Sequence, residues 1–345
     1  MDTLREDWQE YLTTISEYGD IEYSGIEKVR VERKKAAVSG GCYASGYILG
    51  ITGSSRKVTS VDTVTHAVSA FGQTKIGTYK WTGGCEYEGK CYGFPRKENS
   101  LLVIDPVSKT VNTVPLNIAY RGEHHYGGVL TPEGIVYQPP RNTDHVLRID
   151  LNNRETKMVS MPGIEVSCRY SASVFHPDGD IYLMPEFGHR AAVLRYDTEK
   201  IEYLDYISDH LVFGMVVGND GNIYGFSKEG EGLLRLEVKT GKVEFIHKEI
   251  GIPDCYGSVV GINGRIYGCP AAGEIIWEYD IEKDHMKPVF NLEEKGYAKC
   301  AATGVCPDGT IVFLACFGEY IYFLLPDRKD INEQKVKSRY FNTFY

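Results

Sequence analysis

Short apolar or alternating runs of residues recur along most of the chain, separated by turns rich in Gly, Pro, Asn and Asp. Residues 110–114 and 242–246 alternate apolar and polar side chains, which is typical of a strand with one face in solvent. Small apolar runs, such as residues 257–260, precede turns, such as residues 131–133. The pattern therefore predicts successive β-hairpins.

One short phrase repeats at a nearly constant interval. A glycine is followed by an aliphatic residue and usually by a tyrosine, and these anchor glycines are 42–45 residues apart: Gly46, Gly89, Gly134, Gly179, Gly221, Gly264 and Gly309. Downstream of six anchors, an apolar run ends in an acid: Asp62, Asp105, Asp150, Asp197, Glu237 and Asp280. The interval is that of a four-stranded propeller blade. The sequence predicts an all-β, seven-bladed β-propeller of four-stranded antiparallel blades.

The two ends of the chain bear on how the ring closes. In the repeat frame, residues 26–31 fall where an outer strand would precede blade one, so we expect them to complete blade seven, with residues 336–345 competing for the same sheet. Four apolar residues near the N-terminus have helical spacing: Trp8, Tyr11, Leu12 and Ile15. We expect a short helical extension over residues 1–25, outside the toroid, and a single propeller domain over residues 26–345.

Composition narrows the class of partner. Hydrophobic residues make up 42% and charged residues 25% of the chain, which indicates a folded protein with a core. The net charge of −9 argues against a nucleic-acid binder. The chain has no apolar run of 18 residues, and its first residues are acidic where a signal peptide would be basic and then apolar. We expect a cytoplasmic protein that binds neither nucleic acid nor membrane.

The cysteines fit that expectation. There are nine, an odd number without close pairs, which favours neither a disulfide framework nor a standard zinc site. Those in the predicted inner and second strands are interpreted as small core residues: Cys42, Cys85, Cys91, Cys269 and Cys306. Cys255 and Cys300 fall at the predicted channel mouth, where a thiolate beside Lys299 is a further candidate nucleophile.

Two phrases carry a family resemblance. Residues 177–182, which read PDGDIY, and residues 193–197, which read VLRYD, resemble blades of the virginiamycin B lyase-like seven-bladed propellers. The resemblance covers residues from about 36 to 325 and implies the fold. It also implies β-elimination, carried out in that family by a His and a Glu on top loops with a divalent ion. That family's catalytic segment has no residue-by-residue counterpart here.

The strand order predicts which loops share a face. Loops that enter the first strand of a blade and loops between its second and third strands lie together around the central channel. On this face we expect a substrate-binding set: Tyr79, Lys80, Trp81, His124, Arg141, Arg169 and Lys299. Arginine can bind a carboxylate through two hydrogen bonds, and aromatic rings can stack on a sugar. The set predicts a small anionic ligand, although solvated loops at a propeller mouth also collect polar residues.

Proton transfer needs side chains that titrate near neutral pH or can be tuned to do so. We expect His125, Tyr170, Tyr256 and His189 to act as catalytic acids or bases. Arg169 and Arg141 would hold a carboxylate and so acidify its α-proton. The leading hypothesis is a lyase that acts on an anionic, carbohydrate-derived molecule, and four of these residues are expected on solvated loop ends: Arg169, Arg141, His125 and Tyr170.

Two alternatives stay open. The protein could be a non-catalytic scaffold that binds another protein. The cofactor is unknown, and a divalent metal ion is one possibility, held by histidines of this face: His124, His125, His189 and His210. Adjacent strand residues point to opposite sides, so His124 and His125 are not expected to bind the same ion.

Overall fold

A computed structural model describes residues 2–31, 37–118, 123–251, 254–294, 296, 299–328, 330–332 and 336. The chain begins with helix α1 (Asp2–Tyr18) and strand β1 (Tyr23–Arg30). The described strands form seven four-stranded sheets, in which neighbouring strands are antiparallel. The prediction of a seven-bladed β-propeller is confirmed.

Six blades are built from four consecutive strands each. Blade one contains β2 (Gly41–Ala44), β3 (Tyr47–Gly50), β4 (Val58–Asp62) and β5 (Val68–Phe71). Blade two contains β6 (Trp81–Tyr87), β7 (Lys90–Pro95), β8 (Ser100–Asp105) and β9 (Thr110–Pro115). Blade three contains β10 (Val129–Leu130), β11 (Ile135–Gln138), β12 (His145–Asp150) and β13 (Thr156–Ser160).

The next three blades have the same plan. Blade four contains β14 (Tyr170–Phe175), β15 (Ile181–Pro185), β16 (Arg190–Arg195) and β17 (Lys200–Ile207). Blade five contains β18 (Val216–Val217), β19 (Ile223–Phe226), β20 (Leu233–Glu237) and β21 (Lys242–Ile246), followed by a 3₁₀ turn (Lys248–Ile250). Blade six contains β22 (Cys255–Val260), β23 (Ile266–Pro270), β24 (Ile275–Asp280) and β25 (His285–Asn291).

Blade seven joins the two ends of the chain. Its inner three strands are β26 (Cys300–Val305), β27 (Ile311–Ala315) and β28 (Tyr320–Pro326), and β1 is its outer strand. Ile26 pairs with Leu324 and Val29 with Ile321. The expected closing strand is confirmed, and it begins earlier than expected, at Tyr23. The competing segment, residues 336–345, lies outside the described residues except for Val336.

The core lies between neighbouring blades, where apolar strand residues of adjacent sheets pack together. One covalent link crosses such a boundary. Cys42 of β2 and Cys91 of β7 are joined by a disulfide between blades one and two. Both cysteines are buried in the core, as interpreted from the sequence, but they are bonded to each other, which their spacing in the sequence did not suggest.

Helix α1 packs on the face of the toroid that carries the turns between the first and second strands. Ile15 is buried against residues of blades five and six, including Tyr224 and Ile266. A Cβ on Gly264, in the first turn of blade six, would lie 2.6 Å from Ile15 Cγ2. This face is opposite the channel mouth, so α1 does not contribute to the candidate site. The described part of the chain contains no helix with the length and apolar character needed to cross a membrane.

Candidate functional site at the channel mouth

Charged side chains from blades two, three and four converge at the channel mouth. We call the following six residues the mouth cluster: Arg96, Lys97, Glu123, Arg141, Arg169 and Glu186. One Glu123 oxygen lies 3.2 Å from Arg96 Nη2 and 3.6 Å from Lys97 Nζ. The other lies 3.5 Å from Arg141 Nε. Arg141 Nη1 is also 2.5 Å from Glu186 Oε1, so one guanidinium bridges two carboxylates.

Tyr126 lies between two of these cations. The guanidinium carbons of Arg96 and Arg141 are 4.7 and 4.9 Å from the centre of its ring, within the range of cation–π attraction. The ring is buried, and burial raises the pKa of Tyr126. Gly127 follows with a φ of +63°, a conformation that favours glycine, and lets the chain turn between Tyr126 and β10.

Aromatic rings from three blades meet across the channel. The ring centres of Tyr126 and Phe213 are 5.9 Å apart, and those of Phe213 and Tyr256 are 5.2 Å apart with nearly perpendicular planes. Lys228 Nζ is 5.8 Å from the centre of the Phe213 ring. These three rings, which we call the aromatic floor, offer apolar faces beside the mouth cluster.

Arg169 is the most exposed arginine of the mouth cluster. Its side chain is 49% exposed, and its Nη1 lies 4.0 Å from Glu186 Oε2. Its Nε donates a 3.3 Å hydrogen bond to Asn142 Oδ1. The backbone of Arg169 pairs with that of Arg141, which places the two side chains on neighbouring segments of the mouth. Arg169 therefore exposes part of its planar guanidinium group to solvent at the rim of the channel.

Three expected substrate-binding residues are instead buried within the structure. Lys80 Nζ donates hydrogen bonds to Ser55 O and Thr74 Oγ1, and burial lowers its pKa to about 8. Trp81 is buried and donates its indole N–H to a backbone carbonyl. Lys299 is buried with Nζ 2.8 Å from Ala272 O, and burial lowers its pKa. The expectation that these side chains face the channel mouth is wrong, because each is buried and its polar group donates hydrogen bonds inside the fold.

Two expected catalytic residues are buried as well. His125 lies with Nε2 3.2 Å from the carbonyl oxygen of His145, and burial lowers its pKa to about 3. The Tyr170 hydroxyl donates a 2.6 Å hydrogen bond to Arg190 O, and burial raises its pKa. The expected placement on solvated loop ends is wrong for both. At neutral pH the imidazole is neutral and the phenol is protonated, and both are out of reach of solvent, which weighs against their predicted roles as catalytic acid and base.

The other expected residues lie nearer the mouth. Tyr79 is exposed, with the Arg96 guanidinium carbon 4.3 Å from its ring centre. Tyr256 belongs to the aromatic floor, while His124 and His189 are half-buried. The structure thus brings together Tyr79, Tyr256, Arg141 and Arg169, all on or beside the mouth cluster. The catalytic and binding roles of these residues stay predictions.

The mouth does not fit the divalent ion that the family resemblance implies. Among the described residues, its four candidate histidines do not form a group of three side chains close enough to share an ion. Its two carboxylates, Glu123 and Glu186, already lie against guanidinium groups. We therefore derive no step through a metal at this site.

The aromatic floor shares a position in the repeat. Tyr126, Phe213 and Tyr256 each stand eight positions before an anchor glycine. The residues nine positions before the anchors are buried in all seven blades: Ala37, Lys80, His125, Tyr170, Val212, Cys255 and Cys300. The position alone does not identify the floor, because Val38 and Trp81 also stand eight positions before an anchor and are buried in the core. The repeat frame therefore narrows the choice of mouth residues, and the packing of each blade decides it.

Comparison with known proteins supports the fold and leaves the function open. No family model and no curated protein matches this sequence. The fold is similar to a streptogramin B lyase structure, with a TM-score of 0.71 and 13% identity over 88% of this chain and 98% of that one. It is also similar to virginiamycin B lyase from Staphylococcus aureus, with a TM-score of 0.69 and 12% identity over 87% of this chain and 98% of the lyase.

A third similar structure is titled as YCF48 bound to D1 peptide. Its TM-score is 0.69 with 8% identity, over 89% of this chain and 96% of that one. At such low identities the likeness shows the fold alone. The protein therefore has the seven-bladed propeller architecture of the virginiamycin B lyases, an architecture that it also shares with YCF48.

Proposed function

We propose that the protein binds a small carboxylate-bearing molecule at the channel mouth. The observation that carries the proposal is the approach of the Arg96 and Arg141 guanidinium groups to the ring of buried Tyr126, with Arg169 half-exposed in the same cluster. Arg96 and Arg141 are held by Glu123 and Glu186, which leaves Arg169 as the arginine most accessible to a ligand. A carboxylate that enters the mouth can accept two parallel hydrogen bonds from Arg169 while a ring or sugar lies on the aromatic floor.

The local charge favours an anion. The mouth cluster contains four cations and two carboxylates, an excess of two positive charges in a protein whose net charge is −9. Neither Glu123 nor Glu186 is exposed, and each carboxylate forms an ion pair with an arginine of the cluster. A recessed positive region attracts anionic ligands and raises their local concentration.

The finer proposal is a lyase that acts on an anionic, carbohydrate-derived substrate by β-elimination. Its support is the shared fold with streptogramin B lyase and the position of Glu186 between Arg141 and Arg169. With the substrate carboxylate on Arg169, Glu186 would take the α-proton. The electron pair left on the α-carbon would form the double bond to the β-carbon, and the leaving group would depart with a proton from Tyr256 or His189.

Ligand-induced thermal stabilisation tests the binding proposal. Uronates, simpler carboxylates and neutral sugars of the same size are each added at millimolar concentration. We expect the carboxylates to raise the melting temperature by mass action and the neutral sugars to leave it unchanged. Arg169→Ala should abolish the shift. The matched control is Arg190→Ala, because Arg190 is an exposed arginine of the same blade that lies outside the mouth cluster.

The same panel distinguishes binding from catalysis and from scaffolding. Elimination would create a conjugated double bond, which ultraviolet absorbance detects, and Glu186→Gln should abolish it. Binding without turnover would overturn the lyase proposal alone. If no carboxylate stabilises the protein, the proposed ligand site is wrong and the scaffold alternative is favoured. A peptide-binding screen would then test the scaffold, because the similar structure of YCF48 is bound to a peptide.

A further inference from the structure

Three potential metal-binding side chains meet on the face of the toroid opposite the mouth. His66 lies in the turn between β4 and β5 of blade one, and Cys306 and Asp308 lie in the turn between β26 and β27 of blade seven. One ligand atom from each residue lies within 4.8 Å of the other two. Among the described residues, this is the only such group of three.

Comparison between blades explains why Asp308 is available. In blades four and five, the aspartate that precedes the anchor glycine accepts a hydrogen bond from the tyrosine of the repeat. Tyr182 donates to Asp178 at 2.9 Å, and Tyr224 donates to Asp220 at 2.7 Å. Blade seven has Val312 at this position, so its aspartate has no such tyrosine. Asp308 Oδ2 instead lies 3.3 Å from His66 Nε2 of the next blade.

Cys306 stands three positions before its anchor glycine, where the residue varies from blade to blade. In blade four the corresponding position is His176, whose Nε2 contacts the carbonyl oxygen of Gly221 and whose Nδ1 lies beside Asp178. Blade seven has a buried thiol there. Blade seven thus lacks the repeat tyrosine beside Asp308 and carries a thiol in the same turn, so a carboxylate and a thiol both lie next to His66.

The three ligand atoms lie close together where blades one and seven meet. His66 Nε2 is buried, lies 3.3 Å from Asp308 Oδ2 and makes no hydrogen bond. The His66 ring is held by stacking on Phe323, with centres 5.1 Å apart. Asp308 Oδ1 accepts a hydrogen bond from the Thr310 N–H, which orients the carboxylate. The Asp308 side chain is 40% exposed, so an ion can enter from solvent.

We propose that His66, Cys306 and Asp308 bind one Zn²⁺ ion, with water as the fourth ligand. Thiolate, imidazole and carboxylate are ligands that zinc accepts together in tetrahedral sites. Zinc bond lengths of about 2.0–2.3 Å place tetrahedral ligand atoms roughly 3.3–3.8 Å apart. The His66–Asp308 distance of 3.3 Å already meets that requirement, and separations up to 4.8 Å need only small side-chain movements.

Such an ion would connect blades one and seven, the two blades on either side of the ring closure. It would bind the folded ring and not the unfolded chain, so it would stabilise the fold by mass action. Magnesium and calcium should not replace it, because these hard cations prefer oxygen ligands. The site is independent of the ligand proposed at the mouth.

The test measures zinc binding by the full-length protein after treatment with a chelator. We expect one tightly bound Zn²⁺ per chain in a competition titration with a chromophoric chelator, and affinity at least tenfold lower in His66→Gln and in Cys306→Ala. Co²⁺ should give a sulfur-to-metal charge-transfer band that Cys306→Ala removes. Should Cys306→Ala fail to fold, His66→Gln together with the cobalt spectrum of the parent protein decides the question.

The control is His247→Gln. His247 Nε2 also lies beside an aspartate, 3.1 Å from Asp284 Oδ1, but it belongs to no group of three ligands among the described residues. This variant should bind zinc as the parent does. Substoichiometric zinc in the parent, a cobalt complex without the sulfur band, or equal affinity in parent and His66→Gln would each overturn the proposal.

Discussion

Arg265 of blade six and Glu22, which stands 243 residues earlier in the chain, form an ion pair with Nη1 and Oε1 2.6 Å apart. The same Nη1 is 3.3 Å from Glu278, and Lys287 Nζ is 2.9 Å from Glu22 Oε2. Glu22 directly precedes β1. The network therefore anchors the closing strand of blade seven to its neighbouring blade.

Removal of Arg265 should destabilise the ring. Arg265→Met leaves the buried Glu278 carboxylate with Lys287 as its remaining cationic partner in the network, at 3.2 Å. Breaking a buried ion pair leaves an under-compensated charge, so we expect the free energy of unfolding to fall by about 3 kcal/mol. Urea denaturation measures this change. The control is Arg30→Met, whose side chain is 74% exposed in its ion pair with Glu319 and should cost about 0.5 kcal/mol or less. Equal effects of the two substitutions would contradict the assigned role.

Deletion of the N-terminal strand should abolish cooperative unfolding. Without residues 1–31, β28 becomes an unpaired edge, and the Tyr23 hydroxyl no longer donates to Gly309 O. We expect the calorimetric transition to broaden or disappear. A shorter deletion of residues 1–19 removes α1 and keeps β1, so it should lower the melting temperature while unfolding stays cooperative. A cooperative transition at the parent temperature in the longer deletion would show that β1 is not required for closure.

His125 should make the stability of the protein depend on pH. Burial, with His145 and His124 nearby, lowers its pKa to about 3, against about 6.5 in an unfolded chain. Between these values the unfolded state binds more protons, so stability must fall as pH falls from 6.5 toward 3. The loss amounts to roughly 3–5 kcal/mol over the whole interval.

The measurement is urea denaturation at several pH values between 7 and 4. His125→Leu should flatten the pH dependence of the free energy of unfolding, because its side chain has no proton to bind. His285→Gln changes an exposed histidine and should keep the parent slope. An unchanged slope in His125→Leu would show that His125 does not titrate as its burial requires.

Two arginines of the mouth cluster should differ in their effect on stability. Arg141→Ala leaves Glu186 without the guanidinium at 2.5 Å and removes one of the cations stacked on Tyr126, so we expect a loss of about 1–3 kcal/mol. Arg169→Ala removes a half-exposed side chain and should change stability by about 0.5 kcal/mol or less. Thermal and urea denaturation compare the two. A loss in Arg169→Ala as large as that in Arg141→Ala would show that Arg169 is structural.

Much of the architecture could be predicted because it is local and repetitive. The anchor glycines have positive φ in the turns of the hairpins, for example +82° at Gly134 and +76° at Gly264, and they recur at the blade interval. Asp62 and Asp105 accept backbone hydrogen bonds in the turns that follow their strands, as expected of acids at strand ends. Residues 26–31 are predicted as the closing strand because they occupy the place of an outer strand in the repeat, although residues 336–345 compete for the same sheet.

The candidate site could be predicted only in part, because it depends on which way each side chain points. His125 and Tyr126 are adjacent, yet one is buried beside His145 and the other lies between Arg96 and Arg141. Composition and spacing do not show which of two adjacent side chains points into the blade and which points toward the channel. That depends on how the strand is placed in the assembled blade.

The sequence by itself thus determined the all-β fold and the number of blades, because period and turn chemistry are properties of short segments. Only the tertiary structure decided that Arg96 and Arg141 lie against the Tyr126 ring, that Cys42 bonds to Cys91, and that His66 lies close to Cys306 and Asp308. Each of these contacts joins residues of different loops or blades. Their distances arise from ring closure and blade packing, which no local pattern encodes.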